Sequence, residues 1–491
     1  MLSPLALLAL HSLAPGLLSS GRTLYLSPTG DDAADGRSQN GAWKSLARVQ
    51  KEGMRPGDSV VLLGGGTYEG HLEIRDGDPK RPITIRSEGA RSTIVSTGAP
   101  AITVRAGGVQ IRDLILRGTA KAKSDDNEGI LLAAPKDRAV KGVRIERVEI
   151  TGMGAPGISV TAEKGSPYGV DDLKIKGANI HGNYGVGIIS ADGIAFDSGS
   201  TRFAHHDWTI TDCDTSENFD GAGIILSGVD RATVEFCRSA NNTNPTGGGL
   251  GMWAWCARRV TFRHDIASGI RSKGDGGGFD LDGGTVDCAI ERCLSFDNYG
   301  PGAMHCDFPS APRTQRNSIR DNVSVDDGRA VGGGPTGFGF VVWGSGLYDC
   351  RVERNLVVLT KSVAEKGDSA ALFATFIRDD KAPIAAQRLE GAVVRDNTVL
   401  VTAPGTYFVR DNFPAEVKKE IVYERNAYRG DAPFVVGGGE GVRRDLPAWR
   451  AAVEATAKVA EMPGMGASDA FPDLKAVRPH DLPTLFRKLG R

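Results

Sequence analysis

The sequence lacks a charge bias: 59 Lys and Arg stand against 60 Asp and Glu in 491 residues, a formal net charge of −1. Without a positive field the chain has no general hold on nucleic acid or an anionic membrane, and neither is expected as a partner. Beyond its first 18 residues it has no apolar run approaching the ~18–20 residues of a membrane-spanning helix. Its seven cysteines form no Cys-x-x-Cys pair and are odd in number, which argues against a metal cluster and against a complete disulfide framework. Helix-favouring runs are scarce before Asp445. Glycine, by contrast, is abundant, with 65 residues, roughly twice the ordinary share. The composition therefore points to strands and turns.

The opening MLSPLALLALHSLAPGLLSSG is apolar as far as Leu18 and then turns to small residues. This is the pattern of an export signal over residues 1–20, cleaved near Ser20 or Gly21, so a secreted or periplasmic location is expected.

Internal repetition is the strongest feature. VQIRDLILRG begins at residue 109, VRIERVEITG at 143, LKIKGANIHGN at 173 and WTITDCDTSEN at 208, and the pattern recurs to IVYERNAYRG at 421, eleven times in all. The third residue of each, from Ile111 to Tyr423, serves as an anchor, and the anchors fall 24 to 42 residues apart. Each unit is a short alternating strand, a polar corner, a second strand and a loop, with no room for a packed helix. Such a unit cannot bury its own apolar face, whereas stacked units share one continuous core. The expected architecture is all-β: a single-stranded right-handed parallel β-helix of about 11 or more coils, with short helical caps at both ends.

The corners support this stacking. Three residues after the anchor come Cys213, Cys237, Cys293, Asn322, Asn355, Asn397 and Asn426; eight after it come Asn183, Asn218, Asn242, Asn298 and Asp327. Asparagines in register can hydrogen-bond along the solenoid, and a small buried Cys fills the same slot. WKSLARVQKEG (43–53) reads as a front capping helix and LPAWRAAVEATAKVAE (446–461) as a rear one. The expected division is a signal over 1–20, an entry strand and cap over 21–58, the β-helix over 59–430, and a rear cap with helix and extended tail over 431–491.

TLYLSPTGDDAADGRSQNGAWKSLARVQ, GDSVVLLGGGTYEG and the run GGGFDLDGGTVDCAIERCLSFDNYGPGAMHCDF together resemble secreted pectate-lyase-like right-handed parallel β-helix proteins. The resemblance covers nearly the whole chain after the signal. It implies this fold and a carbohydrate-active class, within which lyases, hydrolases, epimerases, esterases and non-catalytic binders all occur.

The stretch GDGGGFDLDGG (274–284) concentrates carboxylates among glycines. It fails the nonapeptide calcium pattern, with Asp275 where the first Gly belongs and Asp282 where an apolar residue belongs, and it has no EF-hand Glu. Alternation along the strand puts Phe279 and Leu281 inside and Asp280 and Asp282 outside. Placing Gly278 over Ala303 sets Asp280 beside His305 and Asp282 beside Asp307, with Met304 and Cys306 buried. The preceding coil turns Trp253 and Trp255 outward, and neighbouring coils offer Asp220 and Arg329. Asp beside Gly is also ordinary turn chemistry.

On the functional reading, Asp280, Asp282 and Asp307 are candidate acid and base, with His305 orienting one of them. The Asp280 to Asp307 diagonal would be about 8 Å, within the range of paired glycosidase carboxyls. Trp253, Trp255, Asp220 and Arg329 are candidate substrate-binding residues, the Trp faces stacking on sugar rings. The expected function is cleavage of a polysaccharide or oligosaccharide as a glycoside hydrolase, with no cofactor or metal required. The alternatives are a polysaccharide lyase acting on a uronate polymer, which could use Ca2+, and a non-catalytic carbohydrate-binding solenoid. A monomer is the default.

Overall fold

The computed structural model describes residues 21–192, 203–307, 311–329, 338–344, 347–360, 369–376, 388–412, 418–437, 441–460 and 473–490. The expected signal over residues 1–20 lies outside the described residues. Among the described residues the strands form an 18-stranded sheet, a 14-stranded sheet, a third face divided into 5-stranded and 8-stranded sheets, and a 2-stranded sheet of Thr243–Asn244 with Arg271–Ser272. Among the described residues, pairing between strands is parallel except where Phe434–Val436 meets Val442–Arg444.

All eleven anchors stack in one line. Ile111 pairs with Ile145, Ile145 with Ile175, Ile175 with Ile210, and the column continues through Val234, Phe262, Ile290, Ile319, Val352 and Val394 to Tyr423. Two residues beyond each anchor the chain bends through the left-handed region, as at Asp113, Arg147, Asp212, Asp321 and Asp396. That conformation is unfavourable for most side chains and tolerated best by Asp, Asn and Gly. It turns the next residue inward, and this is why Cys or Asn fills that corner.

The inward asparagines form a continuous hydrogen-bonded row. Asn322 Nδ2 donates to Asn355 Oδ1 at 3.1 Å, Asn355 to Asn397 at 3.0 Å and Asn397 to Asn426 at 2.9 Å. Cys213, Cys237 and Cys293 occupy the earlier coils as buried free thiols. At the second corner Asn183 donates to Asn218, and Asn298 to Asp327.

A column of glycines runs along one edge of the 14-stranded sheet, at Gly157, Gly187, Gly223, Gly251, Gly278 and Gly302, each just before an inward residue. Here two faces of the solenoid approach closely: a Cβ on Gly278 would lie 2.2 Å from Ser295 Oγ, and one on Gly302 2.4 Å from Ser324 Oγ. Only glycine fits that column, so it fixes the register of successive coils.

The caps differ in detail from expectation. Helix α1 (Leu46–Glu52) starts at Ser45, whose side chain accepts the Arg48 N–H, and it buries Leu46 and Val49 with Trp43 over the first coil. Helix α2 (Leu446–Ala452) is shorter than the 446–461 read from sequence. The chain breaks from the helix so that Glu454 turns inward and accepts hydrogen bonds from Asn426, Tyr428 and Trp449, closing the asparagine row. Lys458–Val459 then adds as a further parallel strand. Residues 473–490, expected as an extended tail, fold back instead: helix α3 (Leu482–Lys488) buries Leu482 and Phe486 against Leu294, Val323 and Leu356. No helix among the described residues is long and apolar enough to cross a membrane.

Candidate active site

Three adjacent coils of the 14-stranded sheet carry the site: Met252–Trp255, Phe279–Leu281 and Ala303–Cys306. Met252, Phe279 and Ala303 align and point into the core. Asp280 therefore aligns with Trp253 on one side and Met304 on the other, and Leu281 aligns with His305.

This register is one residue away from the one read from sequence. Gly302 occupies the close-approach column beside Gly278, so Phe279 sits over Ala303 rather than Gly278 over Ala303. A one-residue shift exchanges the faces of a strand. Met304 and Cys306, expected inside, lie on the outer face, where they join Leu250 in a separate cluster. His305 and Asp307, expected outside beside the other carboxylates, turn away from that face. His305 is fully buried with Nε2 3.1 Å from the Arg351 carbonyl, and burial depresses its pKa to about 4, so the ring is neutral. Asp307 is 5% exposed and accepts the Thr314 hydroxyl at 2.8 Å.

Over these coils lies a cavity of about 370 Å3. Asp280, Asp282, Met304 and Cys306 form its base, Trp253 and Leu250 one wall, and Asp220 and Asp275 its loop edge. By sequence alone Asp275 stands out only as a misfit to a calcium pattern. Its signal was positional: Asp220, Gly248 and Asp275 each stand three residues before a column glycine, Gly223, Gly251 and Gly278. Gly248 keeps the space between the two acids open, since a Cβ there would lie 2.6 Å from Asp275 Oδ2.

Burial dominates the electrostatics. The Asp280 carboxyl is 1% exposed and held well above its usual range, first by desolvation and then by the Asp282 and Asp275 charges. Asp282 is pushed up to about 7 by burial, opposed by hydrogen bonds from the Gly283 N–H, at 2.7 Å, and the Cys306 thiol. Burial also raises Asp275. Burial, and after it the Asp282 charge, raises the Cys306 thiol well above its usual value. Asp280 Oδ1 and the Trp253 indole N–H are both buried without a partner. Among the described residues no three His, Cys, Asp or Glu side chains converge closely enough to hold a metal ion.

The remaining candidates divide. Asp220 is at the cavity and accepts Lys123 Nζ at 2.8 Å. Trp255 lies on the same outer face, its ring centroid 6.3 Å from that of Trp253, but does not line the cavity. Arg329 is elsewhere, with Nε 3.7 Å from Asp297. Two larger clefts, about 490 Å3 beside Tyr407 and Arg443 and about 570 Å3 beside Phe236 and His480, contain no comparable group of buried carboxyls.

A model of the right handed beta helix region matches residues 192–370, which include all three central carboxyls. The fold is that of the pectate-lyase-like right-handed β-helix proteins. The native crystal structure of the GH136 lacto-N-biosidase from Eubacterium ramulus superposes with a TM-score of 0.54 at 17% identity, covering 82% of this chain and 68% of that one. Its selenomethionine derivative gives 0.54 and 17% over 77% of this chain and 68% of that one. An alignment over 77 residues is 44% identical to the lacto-N-biosidase of Bifidobacterium longum subsp. longum, covering 14% of this chain and 5% of that protein's length.

Proposed function

We propose that this chain is a carbohydrate-active β-helix enzyme, and that it works as a glycoside hydrolase with Asp275 and Asp282 as the acid and base pair. The observation that carries this reading is the pair itself: two half-buried carboxyls facing one cavity, both raised by burial. A carboxyl titrating near neutrality can hold a proton for the leaving oxygen and give it up in the transition state, and its ionised partner attacks or activates water. Asp282 is the better placed to change state, because Gly283 and Cys306 support its charge while burial opposes it. Asp280 lies between them in sequence, and burial disfavours a charge on it.

The fold of the Eubacterium ramulus enzyme and the short match to the Bifidobacterium longum enzyme support an oligosaccharide substrate. A lyase needs a basic side chain near the C5 proton and cationic help for a uronate carboxylate. Among the described residues lining this cavity there is no Lys, Arg or His. Asp220 adds further negative charge, only offset by Lys123. Hydrolysis is therefore the better reading.

The test is turnover of aryl glycosides and of oligosaccharides ending in lacto-N-biose. Reducing ends should appear without the ultraviolet absorbance of an unsaturated product, and Asp275→Asn and Asp282→Asn should abolish them. The variant lacking the acid should recover rate on aryl glycosides with good leaving groups; the variant lacking its partner should not. Unsaturated product, or full activity in both variants, would reject the reading.

A further inference from the structure

We propose that Trp253 Nε1 and Asp280 Oδ1 are the hydrogen-bonding pair of a sugar subsite that grips one hydroxyl of a neutral ring. The inference rests on the carbohydrate reading of the cavity and specifies what it selects.

Trp253 and Asp280 are directly aligned on neighbouring coils, so their backbones are ~4.8 Å apart with side chains on one face. Both line the cavity, and in both a polar atom is buried with no protein partner. Buried orphans are rare enough that two of them, on aligned residues that line one cavity, require a reason. The residues flanking the pair supply no hydrogen-bonding side chain: Ile225 aligns with Trp253 on the preceding coil and Met304 with Asp280 on the following one.

The chemistry of the two atoms narrows the ligand. An indole N–H only donates, and a carboxyl oxygen beside it can accept. A hydroxyl does both, taking the indole hydrogen on its oxygen and passing its own to Asp280. An ammonium cannot accept from the indole, an apolar group leaves both atoms bare, and a carboxylate would meet Asp275 and Asp282. Desolvation, which disfavours charge on Asp280, suits a neutral ligand. The Trp253 ring already stacks with Trp255, their centroids 6.3 Å apart.

The experiment uses full-length protein carrying Asp282→Asn, labelled with 15N at the indoles, so that sugars bind without being cleaved. The Trp253 resonance is identified by its loss in Trp253→Phe, which keeps the ring and removes the donor. Galactose, glucose, N-acetylglucosamine, lacto-N-biose and glucuronic acid are titrated separately. At least one neutral sugar should shift that resonance saturably, and Trp253→Phe and Asp280→Leu should each weaken its binding roughly 5- to 50-fold. Asp280→Asn, which keeps an uncharged donor and acceptor, should weaken it less than Asp280→Leu. Neutral sugars that bind without moving the Trp253 resonance, or bind Trp253→Phe equally well, would leave the pair holding only water and overturn the proposal. So would a response to glucuronic acid equal to that of the neutral sugars, or no binding of any of them. Should Asp282→Asn retain wild-type turnover while the Trp253 shift persists, the hydrolase reading fails and the subsite stands.

Discussion

Two rows of polar side chains run along this solenoid, both buried, and they are treated in opposite ways. At the corner row every amide is satisfied: Asn355 alone donates to Ile319 O and Asn397 Oδ1 and accepts from both nitrogens of Asn322. On the outer face of the 14-stranded sheet, Asp280 and Trp253 each keep an unpartnered atom, and Asp282 is held with its pKa near neutrality. A satisfied row holds coils in register, while an unsatisfied one beside open space is kept for something that enters. The open space is essential to that conclusion, because His305 Nδ1 is also buried and bare yet does not line the cavity.

The comparison breaks most sharply on catalysis. Asp282→Asn should lower kcat by about 10²- to 10⁴-fold, as loss of a general acid or base does. Its thermal midpoint should hold or rise, because a disfavoured buried charge is gone. A large fall in midpoint with turnover per folded molecule intact would place Asp282 in the structural row instead.

Asn355→Leu should do the converse. Asn322 and Asn397 lose partners on both sides, and buried unpaired groups of this kind cost about 1–3 kcal/mol each, so the denaturant midpoint should fall clearly while turnover per folded molecule remains. Equal stability would mean the row is a by-product of stacking.

Stability against pH is a smaller test of the acidic face. Asp282 and Asp327 both titrate at about 7 when folded, above the ordinary carboxylate value of 3.8. The folded state thus binds more protons than the unfolded one between about pH 4 and 7. Their contribution is fully present below the unfolded value and is lost as pH rises through 7, so the thermal midpoint should decline from pH 5 to 8. Asp282→Asn should flatten that decline, and a midpoint rising over the same interval would contradict the burial of these carboxyls.

The smallest effect should come from His305→Gln. Its ring is neutral and turned inward, so a modest loss of about 1–2 kcal/mol is expected with turnover intact. A collapse in kcat would restore His305 to the site.

How much was legible follows from the kind of signal each residue carries. The anchors from Ile111 to Tyr423 repeat a local pattern, and local alternation is enough to say which residues are inside; all eleven align as read. Asp280 and Asp282 were assigned to the outer face on the same ground, and they lie there. The placement of His305 and Asp307 depends on the register between coils, which the sequence suggests sets Gly278 over Ala303. The close-approach column instead pairs Gly278 with Gly302, because the sheets cannot approach there with any side chain. Asp275 and Cys306 were missed for the same reason: each belongs to the site only through its alignment with a neighbouring coil. The 446–461 helix was overextended because its periodicity does not reveal that Glu454 is needed inside to end the asparagine row.

The sequence by itself determined a solenoid of stacked strands, its Cys and Asn corner, and the outward direction of Asp280, Asp282, Trp253 and Trp255, since these follow from period-two alternation and repetition within single coils. Only the tertiary structure decided which coils' residues share a cavity. Lateral register depends on how closely backbones on opposite faces approach, and a single residue of register exchanges Met304 and Cys306 for His305 and Asp307 at the site.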